Sequence, residues 1–159
     1  ELSELVEDVM RKMKLVTRTH SVDLLENEDG VIFADQVTMR QMMRIFLENS
    51  TKYTPAGGHI TACSRRTPDG KFMQLELADD GIGIAREDQQ KVFDRFYRVD
   101  SSRTKAQGGV SGTGLGLSIA SWIAEQHGIE ISMESELGRG TKMILRIPLV
   151  QQETKSTRD

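Results

Sequence analysis

The chain has 159 residues, of which 37% are hydrophobic and 28% are charged, and this balance is typical of one soluble globular domain. Its formal net charge of -3 gives no electrostatic argument for nucleic acid as a partner. Cys63 is the only cysteine, which excludes an internal disulfide and is compatible with a cytoplasmic location. No apolar run approaches the ~20 residues that span a bilayer, so we expect no direct membrane contact from this domain. The first residue is Glu1, which indicates a fragment of a longer protein whose membrane attachment is left open.

The first half of the chain is predicted to alternate helices with short extended segments. Apolar residues at helical spacing predict an amphipathic helix over residues 2–13. Two strands that form a hairpin are predicted next, over residues 20–27 and 30–34, because turn-forming residues lie between them. A longer helix is predicted from about Asp35, a plausible N-cap, to about Tyr53.

The second half is predicted to consist mainly of strands. Residues 59–65 and 72–78 form a predicted hairpin, and a short polar helix is predicted over residues 87–96. The Ser-, Gly- and Thr-rich segment from 98 to 113 has no periodic pattern and is interpreted as a mobile loop. The remaining predicted elements are, in chain order, a helix over residues 115–126, strands over 129–135 and 142–147, and a polar tail over 151–159 that is expected to be disordered.

These elements predict the α/β class, in the form of a two-layer α/β (α+β) sandwich in which one sheet packs against three helices. Because most of the strands are joined by hairpins, the sheet is expected to be mixed and mainly antiparallel. One domain over residues 1–150 accounts for all the predicted elements.

The sharpest local signal is Asp79, which continues the alternation of a predicted strand. Three apolar residues share one face of that strand, namely Met73, Leu75 and Leu77. The core-facing side therefore ends in a carboxylate, and a buried carboxylate needs a hydrogen-bond donor or a charged partner. Gly81 and Gly83 follow, and glycine lets the backbone approach a ligand closely. This pattern alone leaves a ligand-binding carboxylate and a turn-capping aspartate equally open.

A second signal is Asn49, which shares the apolar side of the predicted helix with Ile45 and Phe46. Lys52 and Tyr53 follow one turn later on the same side. An amide oxygen at this position could bind a hard cation such as Mg²⁺, and Lys52 could contact a phosphate group as a point charge. For each residue alone, a helix-terminal asparagine and a solvated lysine remain the alternative.

A third signal is the glycine-rich segment from Gly112 to Leu117, which opens a predicted helix. Free backbone N–H groups and the helix dipole make such an end an anion site. A dinucleotide-binding fingerprint would require a preceding strand, whereas a polar loop precedes this helix. Together the three signals indicate a site for a nucleotide with Mg²⁺.

The order of these motifs resembles the catalytic domain of bacterial sensor histidine kinases, which share a superfamily with gyrase, chaperone and mismatch-repair ATPases. Five segments look like the boxes of that family in family order: residues 46–55 (asparagine box), 79–84 (first glycine box), 92–98 (phenylalanine box), 112–117 (second glycine box) and 138–141 (last glycine box). The resemblance covers about residues 1–150. It implies the Bergerat ATP-binding fold, with ATP between the helices and a flexible lid.

The resemblance also implies roles for individual residues. Asn49 would ligate Mg²⁺ and would form the catalytic set with Lys52 and Arg98, while Asp79 would bind the adenine amino group. Nucleotide contacts are implied for Tyr53, Asp79, Gly81, Gly83, Tyr97, Gly112, Gly114, Leu115, Gly116, Leu117 and Thr141. One departure from the family pattern is Ile45, which stands where many members carry a second asparagine.

The activity that the resemblance implies is that of a protein-histidine kinase with ATP and Mg²⁺ as cofactors. Its partners would be the parent protein's own dimerisation and phosphoacceptor helical domain and the receiver domain of a response regulator. The phosphoacceptor box is absent, because the three histidines, His20, His59 and His127, lack its acidic neighbour. Two alternatives stay open: a hydrolysing ATPase, which is disfavoured because Ile45 cannot act as a base, and a non-catalytic nucleotide sensor.

Overall fold

The computed structural model of the chain describes residues 1–93 and 116–151. Within these ranges the helices are α1 (Leu2–Val16), α2 (Gln36–Tyr53) and α3 (Gly116–Gln126). The strands are β1 (Ser21–Asn27), β2 (His59–Arg66), β3 (Phe72–Asp79), β4 (Glu130–Glu136) and β5 (Gly140–Pro148). No helix in these ranges has both the length and the apolar character that a membrane crossing requires.

The strands form one five-stranded sheet in the order β1-β2-β3-β5-β4. β1 pairs with β2 in parallel, and the other three pairings are antiparallel. The helices pack as one layer on one side of this sheet, with α2 between α1 and α3. The predicted two-layer sandwich with a mixed, mainly antiparallel sheet is therefore confirmed.

The limits of α2 follow from its sequence. Asp35 is its N-cap, since the Asp35 Oδ1 atom accepts a hydrogen bond of 2.9 Å from the backbone N–H of Val37. The helix ends at Tyr53, and Thr54 is extended, as expected for a residue that precedes a proline. The buried stripe of α2 consists of Met39, Met42, Met43, Phe46, Leu47 and Ser50. This stripe places α2 at the centre of the core.

The sheet has one apolar and one polar face. Alternate residues of β3 point into the core, where Leu75 and Leu77 are 0% and 2% exposed. The opposite face carries ion pairs between strands, such as Arg65 with Glu26 at 2.8 Å and Lys142 with Glu76 at 3.7 Å. The helices therefore cover the face to which Asp79 also belongs.

The predicted hairpin over residues 20–27 and 30–34 is wrong. The first segment does form β1, but β1 pairs with β2, and residues 31–34 form no strand. The backbone carbonyls of Gly30 and Val31 instead accept hydrogen bonds of 2.8 Å from the N–H groups of Leu2 and Val150. The backbone carbonyls of this segment are paired with residues that are distant in the sequence. Its local turn-forming residues therefore did not predict its structure.

The predicted short helix over residues 87–96 is not found in its described part. Residues 86–93 form consecutive turns, with one helical hydrogen bond of 3.0 Å from the N–H of Val92 to the carbonyl of Asp88. Residues 94–96, the predicted mobile loop over 98–113 and the tail beyond residue 151 lie outside the described residues.

Two phenylalanines provide a test of this packing. Phe46 is 2% exposed at the centre of the core, whereas Phe33 is 93% exposed. We expect Phe46→Ala to lower the free energy of unfolding by about 3–5 kcal/mol because it leaves a cavity. The control Phe33→Ala should change it by less than about 0.5 kcal/mol. Urea denaturation of both variants measures this difference, and equal losses would contradict the arrangement of α2.

Candidate functional site

The sequence signals converge on Asp79, the last residue of β3. Its Oδ1 atom accepts hydrogen bonds from the backbone N–H groups of Gly81 at 3.0 Å and Thr141 at 3.3 Å. The side chain of Ser50, on α2, is a third hydrogen-bond donor to this carboxylate. An ionised carboxylate offers about four acceptor positions. Asp79 therefore keeps the capacity to accept a hydrogen bond from a ligand.

Asp79 and its neighbour Asp80 have opposite electrostatic environments. Burial raises the pKa of the Asp79 carboxyl above its usual value, and hydrogen bonds from Gly81, Ser50 and Thr141 oppose that rise. In contrast, hydrogen bonds from the backbone N–H and the imidazole of His59 lower the pKa of Asp80. Asp80 thus fastens the start of β2, while Asp79 remains a half-buried acceptor whose interactions are weakly screened by water.

Two glycines allow the segment after β3 to pass between its neighbours. Gly81 is buried, and a Cβ atom there would clash with the carbonyl oxygen of Tyr53. That oxygen accepts a hydrogen bond of 3.0 Å from Ile82. Gly83 has a positive φ of 73°, and a Cβ atom there would clash with the backbone of Glu136. Neither position accommodates a side chain, so the backbone is close-packed around Asp79.

The last turns of α2 carry the next group of predicted site residues. Asn49 and Tyr53 are half-buried and Lys52 is exposed. Ser50, which is 7% exposed, turns toward Asp79, so this end of α2 lies beside the carboxylate. Within residues 1–93 and 116–151, the Asn49 side chain makes no hydrogen bond. No group in these ranges therefore competes with a cation for its amide oxygen.

The start of α3 lies against α2 near the same place. A Cβ atom on Gly116 would stand 3.4 Å from the Cγ2 atom of Ile45, which is one helical turn before Asn49. Gly116 and Leu117 are both half-buried. The other predicted residues of the site, namely Tyr97, Arg98, Gly112, Gly114 and Leu115, lie outside the described residues.

Two residues that were not predicted connect the glycine segment to the β4–β5 hairpin. Ser135 Oγ accepts a hydrogen bond of 2.8 Å from Ile84, donates one of 3.0 Å to the carbonyl of Gly140, and lies 2.9 Å from Thr141 Oγ1. Gln89 Nε2 donates to the carbonyls of Ile84 and Ser135 at 3.0 and 2.9 Å. This network connects Thr141, which contacts Asp79, to the segment that follows Asp79.

A signal in the sequence could have found two of the three residues that were missed. Ser50 follows Phe46 by four positions on the buried stripe of α2, and Ser135 follows Met133 by two positions on β4. Each is a polar residue at a core-facing position, which is the pattern that singled out Asp79. Gln89 lies among turns and has no such signal.

Comparison with known families shows the family to which the chain belongs. Residues 34–151 match the family described as histidine kinase-, DNA gyrase B-, and HSP90-like ATPase. The chain belongs to this family. The match includes β2 to β5, α2, α3 and every described residue of the site.

Curated relatives of this ATPase-family domain include two sensor proteins. The sensor histidine kinase WalK of Bacillus subtilis (strain 168) is 34% identical over 154 residues, which cover 91% of this chain and 25% of WalK. The sensor protein SrrB of Staphylococcus aureus (strain NCTC 8325 / PS 47) is 37% identical over 146 residues, which cover 88% of this chain and 24% of SrrB. The chain spans about a quarter of the length of these relatives.

Solved structures confirm the predicted Bergerat fold. The mycobacterial sensor histidine kinase MprB has a TM-score of 0.80 at 19% identity, covering 95% of this chain and 96% of that structure. The catalytic domain of the histidine kinase ThkA has a TM-score of 0.76 at 26% identity, with coverages of 93% and 94%. Full-length ShkA in complex with AMPPNP has a TM-score of 0.78 at 24% identity, with coverages of 96% and 31%. The predicted resemblance to histidine kinase catalytic domains is therefore confirmed.

The two aspartates give a test of the site's electrostatics in the ligand-free domain. Because burial raises the pKa of Asp79, its ionisation costs stability as the pH rises above the pKa of aspartate in the unfolded chain. Asp79→Asn keeps an oxygen acceptor for Gly81 and Thr141 but removes the charge. We expect this variant to be more stable than the wild type near neutral pH and to lose that advantage in acid.

Asp80→Asn is the matched control, with the opposite expected sign. The lowered pKa of Asp80 means that its ionised form adds stability above the pKa of aspartate in the unfolded chain, and that this stability is lost in acid. Near neutral pH this variant should therefore be no more stable than the wild type. Urea denaturation over a pH series measures both variants, and effects of the same sign would contradict the assigned environments.

Proposed function

We propose that this chain binds Mg²⁺-ATP as the catalytic domain of a two-component sensor kinase. In this proposal it transfers the γ-phosphoryl group to a histidine on the parent protein's dimerisation and phosphoacceptor domain. That histidine then supplies the phosphoryl group to an aspartate in the receiver domain of a response regulator. The observation that carries the proposal is the half-buried acceptor Asp79 beside the last turns of α2, within a fold shared with histidine kinases.

Asp79 is proposed to recognise adenine. The adenine amino group is a hydrogen-bond donor, and the carboxylate keeps acceptor capacity next to Gly81, which has no side chain to obstruct a base. Guanine would instead present a carbonyl oxygen to the carboxylate. Two acceptors that face each other in a buried site cost binding free energy. The site should therefore prefer ATP to GTP, with Gly83 and Thr141 shaping the pocket and Tyr53 packing near the base or ribose.

Asn49 and Lys52 are proposed to act on the phosphate side. The amide oxygen of Asn49 is a suitable Mg²⁺ ligand, and Lys52 at the end of α2 would contact phosphate. Gly116 and Leu117 begin α3 beside Ile45, where backbone N–H groups can bind anions. When bound, Mg²⁺ would neutralise charge on the transferred phosphoryl group. The proposal assigns the remaining nucleotide contacts to Tyr97, Arg98, Gly112, Gly114 and Leu115.

The environments of the histidines support an acceptor on another domain. Each imidazole ring has a hydrogen-bond partner: the carbonyl of Thr54 for His20, the carboxylate of Asp80 for His59, and the backbone N–H of Asp35 for His127. These contacts hold the ends of strands and helices together. The nucleophile for phosphoryl transfer is therefore proposed to come from the parent protein's helical domain.

Ile45, which lies beside α3, favours phosphoryl transfer over ATP hydrolysis. Ile45 stands near Gly116 and cannot activate a water molecule as a base. The nearest carboxylate in the sequence of α2 is that of Glu48, which is exposed and pairs with Arg44 at 3.8 Å. Glu48 and Asn49 are adjacent in the helix and so point about 100° apart. Slow hydrolysis is therefore expected in the absence of an acceptor.

The setting proposed for this chemistry is the cytoplasm, which supplies ATP. The formal net charge of -3 offers no basis for a nucleic-acid partner, and no direct membrane contact is proposed for this domain.

Mixing the parts as separate chains tests the proposed activity. Labelled ATP, this chain and the parent protein's helical domain should yield acid-labile, base-stable label on the helical domain, and only when Mg²⁺ is present. Asn49→Ala should weaken Mg²⁺ binding by removing a ligand and reduce transfer accordingly, whereas Glu48→Ala, one residue away and exposed, should not. Label on this chain itself would contradict the proposal. Rapid ATP hydrolysis without an acceptor would favour the hydrolase alternative, and ATP binding without transfer would favour the nucleotide sensor.

A further inference from the structure

The hydroxyl group of Ser135 makes three contacts that together determine where the hydrogens lie. A serine hydroxyl has one hydrogen to donate and two lone pairs with which to accept. The N–H of Ile84 can only donate to it, and the carbonyl of Gly140 can only accept from it. The second lone pair of Ser135 then accepts the hydroxyl hydrogen of Thr141, at an Oγ–Oγ1 distance of 2.9 Å. This is the arrangement in which all three contacts are hydrogen bonds.

This arrangement occupies the only hydrogen that the Thr141 hydroxyl group can donate. Because its hydrogen points to Ser135, Thr141 Oγ1 can offer only lone pairs to any other group. Thr141 is also next to the carboxylate of Asp79, to which its backbone N–H donates at 3.3 Å. In the register of the sheet Thr141 stands opposite Asp79, so both side chains belong to the face that the helices cover. This end of β3 and β5 therefore carries two neighbouring acceptors, one charged and one neutral.

We propose that Ser135 is a specificity-determining residue that acts through Thr141, by keeping its hydroxyl group an acceptor toward the purine base. The inference rests on the proposed function, since it concerns the base of the bound nucleotide. A purine with an amino group, as in adenine, would find two acceptors. A purine with a carbonyl oxygen in the same place, as in hypoxanthine or guanine, would set an oxygen that cannot donate opposite two acceptors. Ser135 itself would not touch the base and is a positioning residue.

Gln89 belongs to the same hydrogen-bond network but does not orient the hydroxyl group of Thr141. Its amide donates to the carbonyls of Ile84 and Ser135, which fastens the segment after β3 to β4. It makes no contact with a hydroxyl group of Ser135 or Thr141 in the described part of the chain. Loss of Gln89 should therefore loosen the segment without releasing the hydrogen of Thr141, which makes it a matched control.

The test compares the affinities of ATP and inosine triphosphate by calorimetry. Inosine triphosphate carries a carbonyl oxygen where ATP carries its amino group. In Ser135→Ala the Thr141 hydroxyl can rotate and donate to that oxygen, so the preference for ATP should fall about fivefold, the equivalent of one neutral hydrogen bond. Any general loosening of the site weakens both nucleotides and cancels in the ratio of their dissociation constants.

Two further variants make the result decisive. Gln89→Ala should leave the preference for ATP unchanged. Thr141→Val keeps the shape of the side chain without its hydroxyl group, so it should lower the preference if Thr141 is an acceptor and raise it if Thr141 is a donor. A raised preference in Thr141→Val, or an unchanged one in a folded Ser135→Ala, would overturn the inference. If the wild-type chain binds no ATP, the proposed function itself fails.

Discussion

The half-buried carboxylate of Asp79 is the constraint on which the rest of the site depends. A charged group on the core-facing side of a strand is costly unless donors surround it. Its donors come from three different places in the fold: Gly81 after β3, Thr141 on β5 and Ser50 on α2. Satisfying this one group therefore holds a loop, a strand and a helix at the same end of the sandwich.

The same buried carboxylate lowers the stability of the ligand-free domain and offers an acceptor to a ligand. Burial raises the pKa of Asp79, so the ionised group is less stable in the folded domain than it would be in water. A hydrogen bond from a bound ligand to the ionised carboxylate would offset that cost. The surrounding backbone cannot relax easily, because Gly140 has a positive φ of 98° and a Cβ atom there would clash with the backbone of Asp79. The described part of the site is thus held in place before a ligand arrives.

Local patterns in the sequence predicted what depends on local structure. The cap at Asp35 and the core-facing position of Asp79 follow from capping preference and strand periodicity, and the structure confirms them. Local patterns failed to predict the segments whose structure depends on contacts with residues distant in the sequence. Gly30 and Val31 accept hydrogen bonds from Leu2 and Val150, and Gln89 bonds to a residue 46 positions away. The roles of Asn49, Lys52 and the residues between 94 and 115 stay predictions, since they concern phosphates and a metal ion.

Titration of Asp79 by nuclear magnetic resonance, with and without Mg²⁺-ATP, tests the central claim most directly. In the free domain the carboxyl of Asp79 should titrate above the usual range for aspartate and that of Asp80 below it. A hydrogen bond from adenine favours the ionised form, so ATP should lower the pKa of Asp79. Inosine triphosphate, which has no amino group, should not do so, and Asp80 should serve as an unchanged internal reference. An Asp79 signal that is indifferent to ATP would contradict the account.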